Sequence, residues 1–354
     1  MPGSGALDAT VLIATYNRAA LLDETLQWLA RMRVSPALAW EVIVVDNNST
    51  DRTREVVERH RGGFPVGLRY VFEERQGRSS ALNTGIAHAR GRVLAFTDDD
   101  VRVQDGWLDA ACKPLLRGDP AVGYSGGPVR PIWGAPPPAW LDLTRGDLWG
   151  TIAIQDHGSA TMSYEEARRV PLGANMAVRR DVFDAAGLFR ADLGRAAGRF
   201  VMGQEVPEWL LRVRKAGFTG VYVPVMEVHH HIPASRLTKQ YFRRWWFGKG
   251  VSRATLERLQ PVTELGVDLT RTPHILGVPR YMYGSLLRDL WGLVRETGAR
   301  RPAAAFRHEM MLMFFAGYFA ARWRERRAGT QPARHSSGVR EAAQRTSNTV
   351  TTGR

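Results

Sequence analysis

The chain has 354 residues, of which 44% are hydrophobic and 24% are charged. This length suits two domains, or one large domain with an extension, and the hydrophobic content excludes wholesale disorder and a collagen-like fibre. The net charge is +14, but only four of the 49 basic residues are Lys, so the Arg surplus by itself identifies no partner. Cys112 is the only cysteine, which excludes an internal disulfide and a cysteine-built zinc site and fits a reducing compartment.

No segment of the sequence has the length of a membrane-spanning helix. The longest run of apolar or small residues covers residues 310–321, whereas a span needs about 20 residues. Residues 1–8 are short and polar and do not form a secretory signal. We therefore expect a cytoplasmic protein that is not integral to the membrane, with peripheral attachment to its cytoplasmic face left open.

Short β-type runs alternate with amphipathic helical runs over the first hundred residues. The predicted strands are 10–14, 41–45, 68–72 and 93–97, and the predicted helices are 21–32, 51–60 and 79–89. The second strand is almost continuously apolar, as is typical of a parallel strand covered on both faces. The alternation predicts an α/β layered domain with a mostly parallel sheet.

The rest of the chain is less regular and becomes basic towards its end. Loops are expected at 126–128 and 135–138, helices at 181–186 and 207–216, and a strand at 221–223. Basic and aromatic residues are mixed over 236–258, and apolar residues recur at helical spacing over 281–295 and 307–322. Residues 328–354 have no apolar periodicity and are predicted to be a disordered tail.

Three aspartates, Asp98, Asp99 and Asp100, directly follow the predicted strand 93–97. Ligands of open parallel sheets bind at the carboxyl ends of the strands. Adjacent carboxylates repel one another unless a cation compensates, and oxygen ligands suit Mg²⁺ or Mn²⁺, which in turn hold phosphate oxygens. Asp is also common in turns and helix caps, but the triplet favours a metal and phosphate site.

Two further strand ends carry polar residues. Asp46 follows the second predicted strand, and residues 15–18 follow the first. Turn chemistry alone explains either of them equally well. Taken with the aspartate triplet, however, three consecutive strand ends with polar groups indicate one nucleotide pocket at one edge of the sheet.

Five stretches of this sequence resemble the family 2 glycosyltransferases, which are inverting enzymes of the GT-A fold. They are TVLIATYNR at 10–18, VVDNNSTD at 44–51, GRSSALNTG at 77–85, FTDDD at 96–100 and GANMAVRR at 173–180. Their order and spacing agree with the family from about residue 8 to 250. The resemblance implies a GT-A α/β fold, a nucleotide-sugar donor, a divalent metal and transfer with inversion at the anomeric carbon.

The resemblance also assigns roles on the donor side. The implied donor-binding residues are Thr15, Asn17, Asp46, Arg78, Asp98 and Asp99. The first three would hold the base and ribose, and Asp98 would face the ribose and the metal. Asp100 would coordinate Mn²⁺ or Mg²⁺ between the diphosphate oxygens, where the metal stabilises charge on the leaving nucleoside diphosphate. Family habit favours a UDP-sugar as the donor.

The catalytic base is less clear, because the sequence departs from the family pattern. The family places an acidic pair just before a helix, but Val206 stands where the second acid usually stands. Glu205 is the first candidate because it precedes the predicted helix, and Glu208 in the first turn is the second. Helix electrostatics also favour an acid at either position without any catalytic role.

A run of three histidines follows residues 221–228. Neighbouring residues on a strand point to opposite faces, so only one or two of the three can reach one site. The position of the run relative to the family pattern, between Val228 and Pro233, favours His230 as a metal ligand.

On the acceptor side we expect Gly173, Asn175 and Trp133, with Trp140 as a further candidate. An Asn amide can hydrogen-bond a sugar, and an indole face suits the apolar face of a sugar ring. Plain core packing is the alternative for either Trp.

The sequence therefore predicts three parts: a GT-A domain at 8–250, a basic amphipathic helical extension at 251–327, and the tail at 328–354. Basic residues among aromatics can contact nucleic acid or an anionic membrane. No nucleic-acid-binding motif appears, so nucleic acid is disfavoured and an anionic membrane surface ranks first. Packing of the extension on the catalytic domain is the alternative.

The predicted function is metal-dependent, inverting transfer of a sugar from a nucleotide-sugar to a hydroxyl of a glycan or lipid-linked acceptor, as in polysaccharide biosynthesis. One alternative is a degenerate transferase that binds nucleotide or glycan without turnover, which Val206 supports and the intact aspartate triplet opposes. Another is a sugar nucleotidyltransferase, but the Gly-rich, Lys- or Arg-bearing loop that this class carries is not found after the first strand.

Overall fold

A mixed eight-stranded sheet forms the centre of the protein. The structure is a computed structural model that describes residues 7–193, 204–263 and 268–327. The strands are β1 (Ala9–Thr15), β2 (Trp40–Asp46), β3 (Gly67–Phe72), β4 (Val93–Asp98), β5 (Val101–Val103), β6 (Val122–Gly126), β7 (Val129–Trp133), β8 (Met162–Ser163), β9 (Asn175–Arg179), β10 (Thr219–Tyr222), β11 (Val228–Ile232), β12 (His274–Ile275) and β13 (Val278–Pro279). The α-helices are α1 (Ala19–Arg31), α2 (Thr53–Arg61), α3 (Arg78–His88), α4 (Trp107–Arg117), α5 (Arg180–Ala186), α6 (Glu205–Lys215), α7 (Lys239–Leu259), α8 (Arg280–Gly298) and α9 (Pro302–Arg327), with 3-10 helices at Gly146–Ile152 and Ala234–Arg236.

The strand order in the large sheet is β3-β2-β1-β4-β9-β6-β10-β8. Neighbours from β3 to β4 are parallel, and so are β6 and β10. Only β9, which is antiparallel to β4 and β6, and β8, which is antiparallel to β10, run the other way. The predicted mostly parallel sheet with flanking helices is therefore confirmed.

The core lies on both faces of this sheet, because alternate side chains of a strand point to opposite sides. Val42 and Val44 of β2 pack with α1, α2 and α4 on one face, whereas Ile43 and Val45 pack with α3, α5 and α6 on the other. Every residue of β2 is buried. This double burial explains why the strand reads as a continuous apolar run.

A second sheet of three strands, in the order β5-β11-β7, places the histidine run beside the aspartate triplet. β5 begins at Val101, directly after Asp100, and β11 pairs with it in antiparallel register. This register sets His230 opposite Val101, and the backbone N–H of His231 donates to the carbonyl of Asp100 at 2.9 Å. Two segments separated by more than a hundred residues therefore meet at the end of β4.

Three long helices follow the sheet and pack on one another. α7 and α9 approach closely at glycines: a Cβ added at Gly317 would lie 2.0 Å from the carbonyl oxygen of Phe247, and one at Gly250 would lie 2.0 Å from that of Phe314. No helix in the described part of the chain combines the length and the apolar character that a membrane span needs.

Two differences between the predicted and the observed elements concern the site. α6 begins at Glu205 rather than at residue 207, and α7 has no counterpart among the predicted helices. The predicted limit of the catalytic domain at residue 250 falls inside α7, so the division into domain and extension stays a prediction. The predicted tail at 328–354 lies outside the described residues.

The close packing of α7 on α9 makes Gly317 sensitive to any added side chain. We expect Gly317→Ala to lower the free energy of unfolding by about 1–3 kcal/mol, because the new methyl group overlaps the Phe247 carbonyl. Gly284 is the matched control, since it is also helical but has open space around its Cβ position; Gly284→Ala should be neutral or add up to about 1 kcal/mol. Urea unfolding followed by circular dichroism measures both, and equal stability of the two variants would contradict the packing described.

Candidate functional site

A cavity of about 510 Å³ opens at the carboxyl ends of β1 and β4. Its wall combines residues from the connections after β1, β3 and β4 with the first turn of α6, the strand β11 and the start of α7. The charged and titratable side chains that line it include Arg18, Arg78, Asp98, Asp99, Asp100, Glu205, His230 and Arg236. The cavity is the site that the sequence predicts from polar strand ends.

Arg18 neutralises two of the three aspartates. Its Nη1 atom lies 2.9 Å from Asp99 Oδ1 and 2.7 Å from Asp100 Oδ2. Thr15 at the end of β1 donates its hydroxyl to the other oxygen of Asp99 at 2.8 Å. Burial raises the pKa of Asp99 to about 6, although the Arg18 charge opposes this shift. Both Asp99 oxygens are therefore engaged by protein groups, which fits a supporting role better than ligand contact.

Arg78, the first residue of α3, binds the third aspartate. Its Nη2 atom donates to Asp98 Oδ1 at 2.8 Å and to the carbonyl oxygen of Gly173 at 3.2 Å, and its Nη1 atom lies 3.4 Å from Glu205 Oε1. Burial opposes the charge of Arg78, but the two carboxylates raise its pKa above the usual value. The guanidinium therefore stays charged and holds both carboxylates.

Asp98, Asp100 and His230 form a candidate metal site. One potential ligand atom from each residue lies within 4.8 Å of the others, and His230 Nε2 is 3.4 Å from Asp100 Oδ1. Burial lowers the pKa of His230 below its usual value, although Asp100 and Asp98 oppose the shift, so the imidazole is neutral and able to bind a metal. Asp100 Oδ1 is buried without a hydrogen-bond partner among the described residues. Buried polar atoms normally have a partner, and a bound cation would supply one here.

Only one of the two base candidates lines the cavity. Glu205 lines the cavity, is only 4% exposed and keeps Oε2 buried without a hydrogen-bond partner in the described part of the chain. Glu208 lies outside the cavity wall, where it pairs with Arg212 at 3.0 Å and accepts from the amide of Gln260 at 2.9 Å. Val206 also lines the cavity, so the position that departs from the family pattern is at the site.

Two predicted donor residues brace loops at the same sheet edge without lining the cavity. Asp46 is buried and accepts from the Tyr70 hydroxyl at 2.8 Å and from the backbone N–H of Ser49 at 2.9 Å. Asn17 has a left-handed backbone, with a φ of 52°, and its side-chain oxygen accepts from the backbone N–H of Thr50 at 2.7 Å. Asn17 therefore links the connection after β1 to the connection after β2, whereas Asp46 ties the end of β2 to β3. Contact of either residue with a donor stays a prediction.

The acceptor expectation for Asn175 does not fit its position. Asn175 is 0% exposed at the start of β9, its Nδ2 donates to the carbonyls of Pro128 and Met226, and its Oδ1 accepts from Trp107 Nε1 at 2.8 Å. The amide is therefore committed to the core and has no free group for a sugar. Of the three acceptor residues expected, only Gly173 lines the cavity.

The expected tryptophans are also displaced from the cavity wall. Trp133 and Trp140 pack in the cluster that α7 and α9 form with the 3-10 helix at Gly146–Ile152, and the Trp140 ring lies 4.6 Å from that of Phe306. Both tryptophans therefore pack in the core, which is the alternative to an acceptor role. Aromatic side chains do reach the cavity, but from α7, as Tyr241 and Trp245.

Four further residues line the cavity without an individual role in the sequence-based prediction: Arg18, Arg236, Tyr241 and Trp245. Arg18 belongs to the recognised stretch 10–18, but the motif does not show which charge it pairs with. The other three lie in the basic aromatic segment at 236–258, where the mixture of residue types does carry a signal for ligand binding.

The sheet and the site have the arrangement of a glycosyltransferase of the GT-A fold. A solved structure of similar fold is the mannosyltransferase PcManGT from Pyrobaculum calidifontis in complex with GDP-Man and Mn²⁺, with a TM-score of 0.59, 21% identity, and coverage of 92% of this chain and 91% of that one. Residues 10–185 match the family model of glycosyl transferase family 2. The chain belongs to glycosyltransferase family 2.

Two curated relatives agree with this class. The succinoglycan biosynthesis protein ExoM of Rhizobium meliloti is 29% identical over 245 residues, which cover 69% of this chain and 73% of ExoM. A glucosyl-dolichyl phosphate glucuronosyltransferase of Haloferax volcanii is 24% identical over 259 residues, which cover 72% of this chain and 79% of that protein. The predictions of the family, the fold and glycosyltransferase activity are confirmed.

The position of Asn175 generates a test that separates a core residue from an acceptor ligand. We expect Asn175→Ala to lower the free energy of unfolding by about 2–4 kcal/mol, because it removes the side-chain partner of the Trp107 indole and of the Met226 carbonyl, and one of the two donors to the Pro128 carbonyl. Trp107→Phe, which removes only the indole donor, should lower it by about 1–2 kcal/mol. A thermal and urea unfolding series measures both. An unchanged stability of Asn175→Ala together with a raised KM for the acceptor would instead make Asn175 a ligand.

Proposed function

We propose that the protein is a metal-dependent, inverting glycosyltransferase that moves a sugar from a nucleotide-sugar donor to a hydroxyl of a glycan or lipid-linked acceptor. The observation that carries this proposal is the presence, in one cavity, of the candidate metal cluster and the Glu205 carboxylate with an unpartnered oxygen. A single displacement needs both a charge acceptor for the leaving diphosphate and a base for the attacking hydroxyl.

Asp98, Asp100 and His230 would hold the metal. Two carboxylates and one neutral imidazole form a mixed oxygen and nitrogen set, which suits Mn²⁺ better than Mg²⁺, since Mg²⁺ prefers oxygen ligands alone. A divalent ion at this position would supply the positive charge that stabilises the departing nucleoside diphosphate. The Mn²⁺ in the complex of PcManGT with GDP-Man supports this assignment.

Glu205 would act as the general base. The acceptor oxygen attacks the anomeric carbon, the bond from that carbon to the diphosphate oxygen breaks with its electron pair, and the hydroxyl proton passes to Glu205 Oε2. Arg78 holds the other oxygen of Glu205 and so orients the carboxylate. Attack from the face opposite the leaving group inverts the configuration. Glu208, with both oxygens engaged by Arg212, is a structural residue in this proposal.

The remaining assignments concern the two substrates. Thr15 and the Asp98 side of the cavity would hold the base and ribose of the donor, with a UDP-sugar as the first choice. Asn17 and Asp46, which do not line the cavity, would act through the loops that they hold beside it. The aromatic wall from α7, with Tyr241 and Trp245, suits the apolar face of an acceptor sugar. The two relatives are named for succinoglycan biosynthesis and for transfer to glucosyl-dolichyl phosphate, which supports a polysaccharide or lipid-linked acceptor.

The two alternative functions are not favoured. A sugar nucleotidyltransferase disagrees with the family and with the Haloferax volcanii relative, which is a glucuronosyltransferase by name. A degenerate binding module would follow if Val206 removed the base. Glu205 lines the same cavity next to Val206, and its Oε2 has no hydrogen-bond partner among the described residues. A candidate base therefore remains at the site despite the departure from the family pattern.

The metal assignment is tested by Asp100→Asn, which keeps the shape of the side chain and removes its charge. We expect Mn²⁺ binding, followed by electron paramagnetic resonance, to be lost and release of nucleoside diphosphate from a nucleotide-sugar panel to fall by about 10²–10³-fold. Asp105→Asn is the control, because Asp105 lies on the surface in a pair with Arg33. Full activity of the Asp100 variant, or of the native protein in excess chelator, would contradict metal dependence.

The base assignment is tested by Glu205→Gln beside Glu208→Gln. We expect the first variant to lose about 10²–10⁴ in turnover, the usual contribution of a general base, with donor binding retained. The second should lose stability, since Glu208 is buried and paired with Arg212, but should keep its turnover when folded. Normal turnover in Glu205→Gln together with an inactive but folded Glu208→Gln would reverse the two roles.

A further inference from the structure

Helix α8 carries an exposed apolar stripe on the side that faces away from the protein. Leu287, Leu290, Trp291 and Val294 are 66%, 49%, 67% and 61% exposed, and their spacing places them on one side of the helix. Large apolar residues that stand together on a surface mark an interaction site, whereas scattered ones need no explanation. We call these four residues, with the flanking Arg288 and Arg295, the α8 face.

The opposite side of α8 is firmly packed. Met282 is buried against α9, and a Cβ added at Gly292 would lie 2.4 Å from the His308 ring. The helix is therefore held in place by one side while the α8 face remains open. This arrangement makes the stripe a fixed feature of the folded protein.

The neighbouring helix α9 offers no comparable face. Its large apolar residues Phe306, Met310, Phe315 and Tyr318 are buried against α7, α8 and the 3-10 helix at Gly146–Ile152. Both segments at 281–295 and 307–322 are predicted from the sequence to be amphipathic, but packing buries most of the apolar residues of α9 at least in part, and its exposed Trp323 stands alone. Of these two helices, α8 alone keeps an exposed apolar stripe.

The charges around the stripe favour an anionic partner. Arg288 and Arg295 flank it and are exposed. The acids of α8 lie on the buried side, where Asp289 pairs with His308 at 2.8 Å and Glu296 pairs with Arg295 and Arg301. Arg288 forms no ion pair with the residues that the structure describes, and Arg295 is 63% exposed beside its Glu296 partner. The outward side of the helix is therefore apolar, with basic groups at its edge.

A membrane interface matches this pattern better than a second copy of the chain. A two-fold interface places the same patch on both sides, so the α8 faces of two copies would bring their arginines together. An anionic bilayer instead offers acyl chains to Leu, Trp and Val and phosphates to Arg. Since no helix in the described part of the chain is suited to span a membrane, α8 would lie in the plane of the interface.

We propose that the α8 face docks the protein on an anionic membrane surface. The apolar stripe enters the boundary between headgroups and acyl chains, and Arg288 and Arg295 extend to lipid phosphates beside it. This inference does not rest on the transfer reaction, because docking needs neither a donor nor a base.

The test is co-sedimentation of the full chain with vesicles of phosphatidylcholine alone and of phosphatidylcholine with about 30% phosphatidylglycerol, an anionic lipid. We expect binding to the anionic vesicles, a loss of at least about tenfold in the double variant Leu287→Ser with Trp291→Ser, and weakening in about half-molar salt. Val225→Ser is the matched control, because Val225 is 71% exposed on the surface elsewhere. An unchanged melting temperature shows that the double variant is folded.

Three results would overturn the proposal. One is undiminished vesicle binding by the folded double variant, which would place the contact elsewhere. Another is equal binding to neutral and anionic vesicles, together with no effect of Arg288→Gln and Arg295→Gln. The third is absence of vesicle binding with a dimer that the double variant dissociates in analytical ultracentrifugation, which would assign the α8 face to a second copy. Donor turnover measured in solution is independent of all three.

Discussion

Three adjacent carboxylates at the end of β4 are the constraint on which the site depends, because buried like charges repel one another strongly. Two guanidinium groups offset this repulsion: Arg18 pairs with Asp99 and Asp100, and Arg78 pairs with Asp98. The arginines come from the connections after β1 and β3, so both strand–helix units must be in place before the charges are balanced. A slip of one residue between β1 and β4 would turn every side chain of one strand to the other face and separate these partners.

Arg78 also makes the two halves of the cavity dependent on each other. Its planar guanidinium contacts Asp98 of the candidate metal cluster and Glu205 at the start of α6, two residues more than a hundred positions apart in the chain. A fork of fixed geometry sets the two carboxylates relative to each other, which the point charge of a Lys would not do. The metal side and the proposed proton acceptor therefore share one positioning group, and Glu205 keeps its second oxygen free.

The sequence was a good guide where a local pattern has a direct physical cause. β1, β2 and β4 are buried on both faces and so read as apolar runs, and their carboxyl ends necessarily meet at one edge. The ion pairs within the site could not be predicted, since the motif does not show that Arg18 contacts two aspartates. The acceptor role predicted for Asn175 does not fit, because the sequence does not show whether an Asn amide faces a ligand or the core. α7 was missed because its apolar residues face two neighbours, the 3-10 helix and α9, and so lack a single stripe.

Helix α7 connects the cavity to the C-terminal helices. Its first turns place Tyr241 and Trp245 in the cavity wall, and the Trp246 indole donates to the Thr151 hydroxyl at 3.0 Å. Its second half meets α9 through Gly250, where the backbones touch, and α9 in turn supports α8. A cavity held at a constant distance from the bilayer would favour a lipid-linked acceptor, the class proposed above. The continuous packing from α7 through α9 to α8 gives the cavity and the α8 face such a fixed relation, so a limit drawn at residue 250 separates parts that the packing joins.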